Sequence, residues 1–186
     1  MSTAMMPERI TDTSVAIKAR IAGAFYLGTF VFGLYAFMAP NGRVVGNVVA
    51  TTCYVAVTLL FYELFKPVNR NVSLVAALFS LTGLTNGALT MFHLPHIPVN
   101  TLVFFGFYCL LIGYLILRST FLPSVLGVLM LFAGLGWLTF ISPRLTHALA
   151  PINMMPGMIG EGALTLWLLI MGVNAARWNE QAGALQ

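Results

Sequence analysis

Any chemistry in this chain has to begin at Glu161. Of the five Asp and Glu side chains in 186 residues, it alone lies inside a long apolar segment, beyond Pro156 and between Gly160 and Gly162. A charge at mid-bilayer costs about 2.5–3.5 kcal/mol on insertion scales, so intramembrane acids are paired or line a cavity. A helix N-terminus favours an acid by about 0.3–1 kcal/mol, but that effect fades after the first turn, and Glu161 is expected in the second. The flanking glycines would let another helix approach the carboxylate closely. Glu161 is therefore the leading candidate for ligand binding, and the one candidate for a catalytic role as general base or metal ligand. Glu63 has a simpler explanation: it precedes Lys66 by three positions, which places both on one helical face as an ion pair.

The three histidines, His93, His96 and His147, fall in connections between apolar segments, and Met154, Met155 and Met158 follow the last of them. Imidazoles bind zinc, a carboxylate can complete such a site, and thioethers favour Cu(I). Three histidines with Glu161 would make a centre in which metal-bound water attacks an ester or amide. However, Pro95 and Pro98 interrupt regular structure around the first pair. Loop and capping roles are the expected ones, no resident cofactor is expected, and zinc enters only with the hydrolase alternative. His147 stays a candidate ligand-binding residue, as does Asn86, which sits mid-segment with Gly83 and Gly87 around it. An intramembrane Asn hydrogen bond is worth about 0.6–2 kcal/mol. Asn86 either packs helices or shares an outward-facing cavity with Glu161.

These residues must be positioned by something other than a water-soluble fold. Apolar residues make up 59% of the chain and charged residues 8%, against roughly 25% charged in soluble domains. Lipid must cover such a surface. The net charge of +4 is spread between apolar runs rather than gathered in a patch, so no nucleic-acid partner is expected. Cys53 and Cys109 each lie inside an apolar run and read as packing residues. No phosphate-binding glycine loop, serine-nucleophile elbow, Cys-x-x-Cys pair or zinc-protease helix occurs.

Six segments approach the roughly 20 apolar residues that a bilayer crossing requires: 21–39, 44–62, 72–92, 99–117, 122–142 and 157–176. The expected fold is an all-α membrane bundle formed as one domain over 21–176, with tails at 1–20 and 177–186. The first apolar run is too long for a signal peptide and lacks a cleavage site, so it is expected to remain. Cytoplasmic loops are enriched in Lys and Arg. Placing both termini inside puts Arg9, Lys18, Arg20, Lys66, Arg70, Arg118 and Arg177 in the cytoplasm, leaving only Arg43 and Arg144 outside. Tyr62-x-x-x-Lys66 and Tyr114-x-x-x-Arg118 end the second and fourth spans alike and read as interfacial anchors.

Four stretches, ARIAGAFYLGTFVFGLYA from Ala19, YELFKPVNRNVSLVAALF from Tyr62, FFGFYCLLIGYLILRSTFLPSVLGVLMLFAGLGWL from Phe104 and GEGALTLWLLIMGV from Gly160, cover well over half the chain. Together they resemble a bacterial family of multi-span membrane proteins known as domain of unknown function 4386. The combination of GYLILRSTFLPSVLGVL with the later GEGALTLWLL is the specific part. The resemblance implies a helical fold in the bacterial inner (plasma) membrane, and brings no reaction, substrate or catalytic residue. Family members tend to be longer between the first two spans, where this chain has only the turn Pro40-Asn41-Gly42-Arg43.

The expected function is a binding, sensing or accessory membrane protein with an outer-leaflet cavity, between the third, fifth and sixth spans, for a lipid or small apolar ligand. Membrane lipids are its expected partners, and a homo-oligomer is compatible with the sequence. One alternative is a metal-dependent intramembrane hydrolase using His93, His96, His147 and Glu161. The other is a subunit of a small-solute transporter.

Overall fold

A computed structural model of the chain describes the backbone of residues 5–184 and the side chains of residues 14–184. The expected tails lie partly outside these residues, as does the side chain of Arg9. Among the described residues there are eight α-helices and no strand. The first, α1, runs unbroken from Met5 to Met38. It starts well before the apolar run because no Pro or Gly interrupts the polar lead between Pro7, in its first turn, and Gly23. Val15 and Ala19, in that lead, are buried against the bundle.

A turn at Pro40–Gly42 leads into α2 (Arg43–Phe65). The Pro67–Asn69 break comes next, and the Asn69 side chain caps α3 (Arg70–Met91) by accepting from the Val72 amide at 3.0 Å. Asn100 caps α4 (Thr101–Arg118) in the same manner. The next helix, α5 (Ser124–Leu138), ends in a 3-10 turn at Thr139–Ile141. The long connection after it carries a short helix, α6 (Pro143–Leu149), ahead of α7 (Met155–Ile170).

Among the described residues five helices are long and apolar enough to cross a membrane, and a sixth qualifies when α7 is joined to the short helix after it. That last span ends at Ile170, short of the expected residue 176. Gly172 takes a φ of 69°, a left-handed conformation that stops a helix, and α8 (Ala175–Gly183) leaves at 101°. Three of its side chains bind backbone carbonyls, two in the last turns of α2 and α4 and one in the α4–α5 connection. Trp178 Nε1 donates to Leu64 O at 2.8 Å, Arg177 to Thr120 O at 3.3 Å, and Gln181 to Arg118 O at 3.2 Å. Carbonyls in the last turn of a helix lack intrahelical donors, and α8 supplies them to α2 and α4.

The spans close a ring in the order α1, α2, α3, α4, α5, α7 and back to α1. One end carries Lys18, Arg20, Lys66, Arg70, Arg118 and Arg177 and is called the basic end; the other carries the three histidines, Arg43 and Arg144. The ring's outer surface exposes Leu34, Phe37, Val45, Phe132 and Ile170, as a lipid-facing surface requires. Phe61, Phe65, Leu115, Ile116, Phe121 and Leu168 fill the basic half of its interior.

Backbone approaches backbone along the length of α4 and α5. A Cβ on Gly113 or on Gly127 would stand 2.9 Å from the other's carbonyl oxygen. One on Gly134 would stand 2.8 Å from Gly106 O and 2.7 Å from Leu110 Cγ. In lipid, where apolar side chains gain nothing by leaving the solvent, such backbone contact is what holds helices together. Gly134→Ala is expected to lower stability by about 1–3 kcal/mol through overpacking, read as a lower thermal midpoint in mild detergent. Gly162→Ala, where a Cβ meets nothing within 4 Å, should leave the midpoint unchanged or raise it, because Ala favours a helix over Gly by about 1 kcal/mol.

Candidate functional site

Glu161 sits in the second turn of α7, on the face turned to the ring's axis, and is only 7% exposed. One turn earlier, Gly157 leaves the space into which Trp137 of α5 projects; a Cβ there would fall on the indole ring. Gly160 packs against the backbone of α5, its added Cβ 2.6 Å from Leu129 O, whereas Gly162 faces open space. Of the two glycines flanking Glu161, only the first serves close approach.

The result is a carboxylate surrounded by donors from four other helices. Trp137 Nε1 donates to Oε1 at 2.6 Å, and the Tyr26 hydroxyl, from α1, donates to Oε2 at 2.6 Å. Tyr54 of α2 donates to Oε2 at 3.3 Å, and the Cys109 thiol of α4 makes a weak contact with Oε1 at 3.8 Å. An indole N–H can only donate, so Oε1 is an acceptor there. A hydroxyl at 2.6 Å has the length of a charge-assisted bond to a carboxylate. Both oxygens thus have donors, and none of them is a cation: among the described residues no Lys or Arg pairs with Glu161, and the ion pair found is Lys66 with Glu63, 3.9 Å apart at the basic end.

Aromatic rings enclose this group. Tyr54 meets Tyr26 and Phe105 edge-on, with ring centroids 5.4 and 5.0 Å apart. Tyr108 lies 6.0 Å from Tyr54, and its buried hydroxyl has no hydrogen-bond partner among the described residues. On the histidine side of the carboxylate lies a cavity of about 220 Å3. All six spans line it, through Thr29, Asn47 and Tyr54, Leu84, Phe105, Trp137 and Glu161. The expected third, fifth and sixth spans all take part, but only Leu84 comes from the third. A larger cleft of about 570 Å3 at the basic end is lined by Glu63, Lys66, Arg70 and Trp178, and its charged side chains are exposed. Size favours that cleft, but of the two only the smaller cavity borders a buried carboxyl group.

The other candidate residues lie elsewhere. Asn86 is buried and fully engaged, its amide donating to Val99 O at 3.1 Å and accepting from the Ile97 amide at 2.8 Å. It clamps the α3–α4 connection and does not line the Glu161 cavity. His93 ends α3 with a φ of 56°. The Leu94 amide reaches back to Leu89 O and the His93 amide to Thr90 O, which is the hydrogen-bond pattern of a left-handed helix cap. His96 Nδ1 lies 2.8 Å from Leu94 O, within its own loop, and His147 is exposed on α6. Among the described residues no three His, Cys, Asp or Glu side chains are placed to share a metal ion, so the histidines and Glu161 do not converge.

Tyr26, Tyr54 and Trp137 belong to no sequence motif, and residue type alone does not single them out. Their signal is nonetheless in the sequence: polar-tipped aromatics away from the ends of apolar segments need a partner when buried, and Glu161 is the carboxylate available to them.

The geometry sets two expectations. A double-mutant cycle of Tyr26→Phe with Glu161→Gln, read by thermal or denaturant unfolding in detergent, should give a coupling of about 0.5–3 kcal/mol, the range for residues that share a hydrogen bond. His93→Gly should hold or raise the melting temperature, because glycine relieves a left-handed conformation that costs other residues about 1–2 kcal/mol; a marked loss of stability would contradict the capping role.

The residues that build this site fall largely in the part of the chain that other proteins share. The family model described as "Domain of unknown function (DUF4386)" matches residues 97–172, a range that holds Cys109, Trp137 and Glu161. An uncharacterized protein of Archaeoglobus fulgidus is 30% identical over 125 residues, which is 63% of this chain and 76% of that protein. No solved structure matches the chain. With that relative and that matched segment, this chain belongs to the DUF4386 family of membrane-helix proteins of unknown function.

Proposed function

We propose that this protein binds a lipid or small apolar ligand within the membrane, in the cavity against Glu161. The observation that carries this reading is a buried carboxylate bordering a cavity to which every span contributes, while the interior beyond it is packed with Phe61, Phe65, Leu115 and Leu168. Apolar Ala50, Leu84 and Leu102 line it beside Tyr54 and Glu161, the mixture of apolar wall and few polar groups that small-molecule sites share.

The same reading puts both termini in the cytoplasm of a cell whose inner membrane holds the protein, with the histidine end outside. The distribution of Lys and Arg supports it, since loops near span ends retain these residues on the cytoplasmic side. Tyr62 and Tyr114 support it too: Lys66 and Arg118 lie over their rings at 6.0 and 5.8 Å, as cation–aromatic anchors at one interface would.

Native mass spectrometry of the protein released from mild detergent tests the binding role, and reads metal content and subunit number in the same spectrum. The expected spectrum shows a defined small molecule or lipid retained by the wild type and lost on Ala50→Leu, which places a larger apolar side chain in the cavity and keeps the carboxyl group. A wild-type protein that retains nothing, or one whose retained molecule is unaffected by Ala50→Leu, would count against the reading. A phosphatase reporter should be active when inserted near His147 and inactive when joined after α8; the reverse pattern would invert the orientation.

A further inference from the structure

The Glu161 site has an unbalanced charge in an aromatic setting, and that combination specifies a ligand more narrowly than apolarity does. Its hydrogen-bond donors are neutral groups from Tyr26, Tyr54, Trp137 and Cys109. Two short bonds at 2.6 Å orient the carboxylate, while the longer Tyr54 and Cys109 contacts at 3.3 and 3.8 Å leave it able to accept another donor; in its ionised form an opposite charge would be worth most in this low-dielectric interior. The described Lys and Arg side chains stand at the two ends of the bundle, and none pairs with Glu161. A cation at Glu161 would therefore come from beyond the described side chains.

A metal ion does not suit the position. Among the described residues no other carboxylate, histidine or second cysteine joins Glu161 and Cys109 there, and the remaining polar neighbours are an indole and phenols. What the site does offer is π-rich walls: Tyr54, Phe105 and Trp137 line the cavity beside the carboxylate. Aromatic walls with one acid form the environment that binds ammonium groups, through ring quadrupoles and one ionic hydrogen bond. Beyond them, Leu84 and Leu102 provide apolar wall for a hydrocarbon portion. The 220 Å3 available corresponds to roughly seven water-sized groups at ~30 Å3 each, so the fit is to a small amine rather than a whole phospholipid.

We propose that the ligand of this cavity is a small organic cation, a protonated amine whose ammonium sits between Glu161 and the rings of Tyr54, Phe105 and Trp137 while its hydrocarbon part lies along Leu84 and Leu102. This rests on the binding reading above and narrows its ligand class.

The test uses the full chain in mild detergent and two probes matched in length, n-hexylammonium chloride and n-hexanol, each titrated while the thermal midpoint is recorded. Hexylammonium is expected to raise the midpoint saturably and to bind at least about tenfold more tightly than hexanol, an advantage that Glu161→Gln removes. Ala50→Leu, which keeps the carboxyl group and places a larger apolar side chain in the cavity, should abolish both responses and serves if Glu161→Gln does not fold. Saturable binding of both probes with equal affinity would overturn the cation proposal and leave the apolar binding role standing. No saturable response to either probe would overturn both.

Discussion

A carboxylate removed from water inside a helical bundle must find hydrogen-bond donors, and the placement of the spans in this protein reflects that need. Glu161 receives Trp137 from α5, Tyr26 from α1, Tyr54 from α2 and Cys109 from α4. Each donor is on a different helix, so the hydrogen bonds cannot form unless the ring is closed around the axis. An acceptor left without partners in a low-dielectric interior is more expensive than a hydrogen bond is favourable. The site therefore acts as a specification of the ring's register, and it does so without any buried cation from the described part of the chain.

Glycine makes that register reachable. In lipid there is little hydrophobic gain in bringing two apolar helices together, so contact depends on shape. The Gly113–Gly127 and Gly106–Gly134 approaches bring the backbones of α4 and α5 together, and Gly157 admits the Trp137 indole toward the carboxylate. The same small residues that lower intrinsic helix propensity thus set the separation at which a 2.6 Å hydrogen bond is made. At the basic end the solution is different: α8 turns across the bundle and its Arg177, Trp178 and Gln181 side chains satisfy backbone carbonyls in the last turns of α2 and α4 and in the α4–α5 connection. One end is closed by packing and capping, and the half nearer the histidines keeps a cavity.

The histidines illustrate how residue type misleads when geometry is missing. Three imidazoles and one acid have the composition of a metal centre, but His93 serves as a left-handed helix cap, His96 stays within its own loop, and His147 lies on a separate surface helix. The polar chemistry instead gathers around aromatic residues that carry no catalytic signature. Their hydroxyl and indole groups matter because of what they face.

The sequence by itself determined the class of the protein, an all-α bundle of long apolar helices. Long apolar runs punctuated by Pro40, Pro67, Pro98 and Pro123 leave no other way to bury so little polar surface, and the skew of Lys and Arg toward one set of loops is a linear pattern. Glu161 was legible for the same reason, since an acid within an apolar run stands out without any knowledge of contacts. The partners of that acid were not, because Tyr26 and Glu161 are separated by 135 positions and no local periodicity encodes which helices meet. Asn86 shows the converse: its position mid-span marked it for a site, but packing turned it toward Ile97 and Val99. The end of the last span was also a tertiary decision. Composition allowed an apolar helix to continue to residue 176, while the left-handed turn at Gly172 and the carbonyls awaiting α8 stopped it at Ile170.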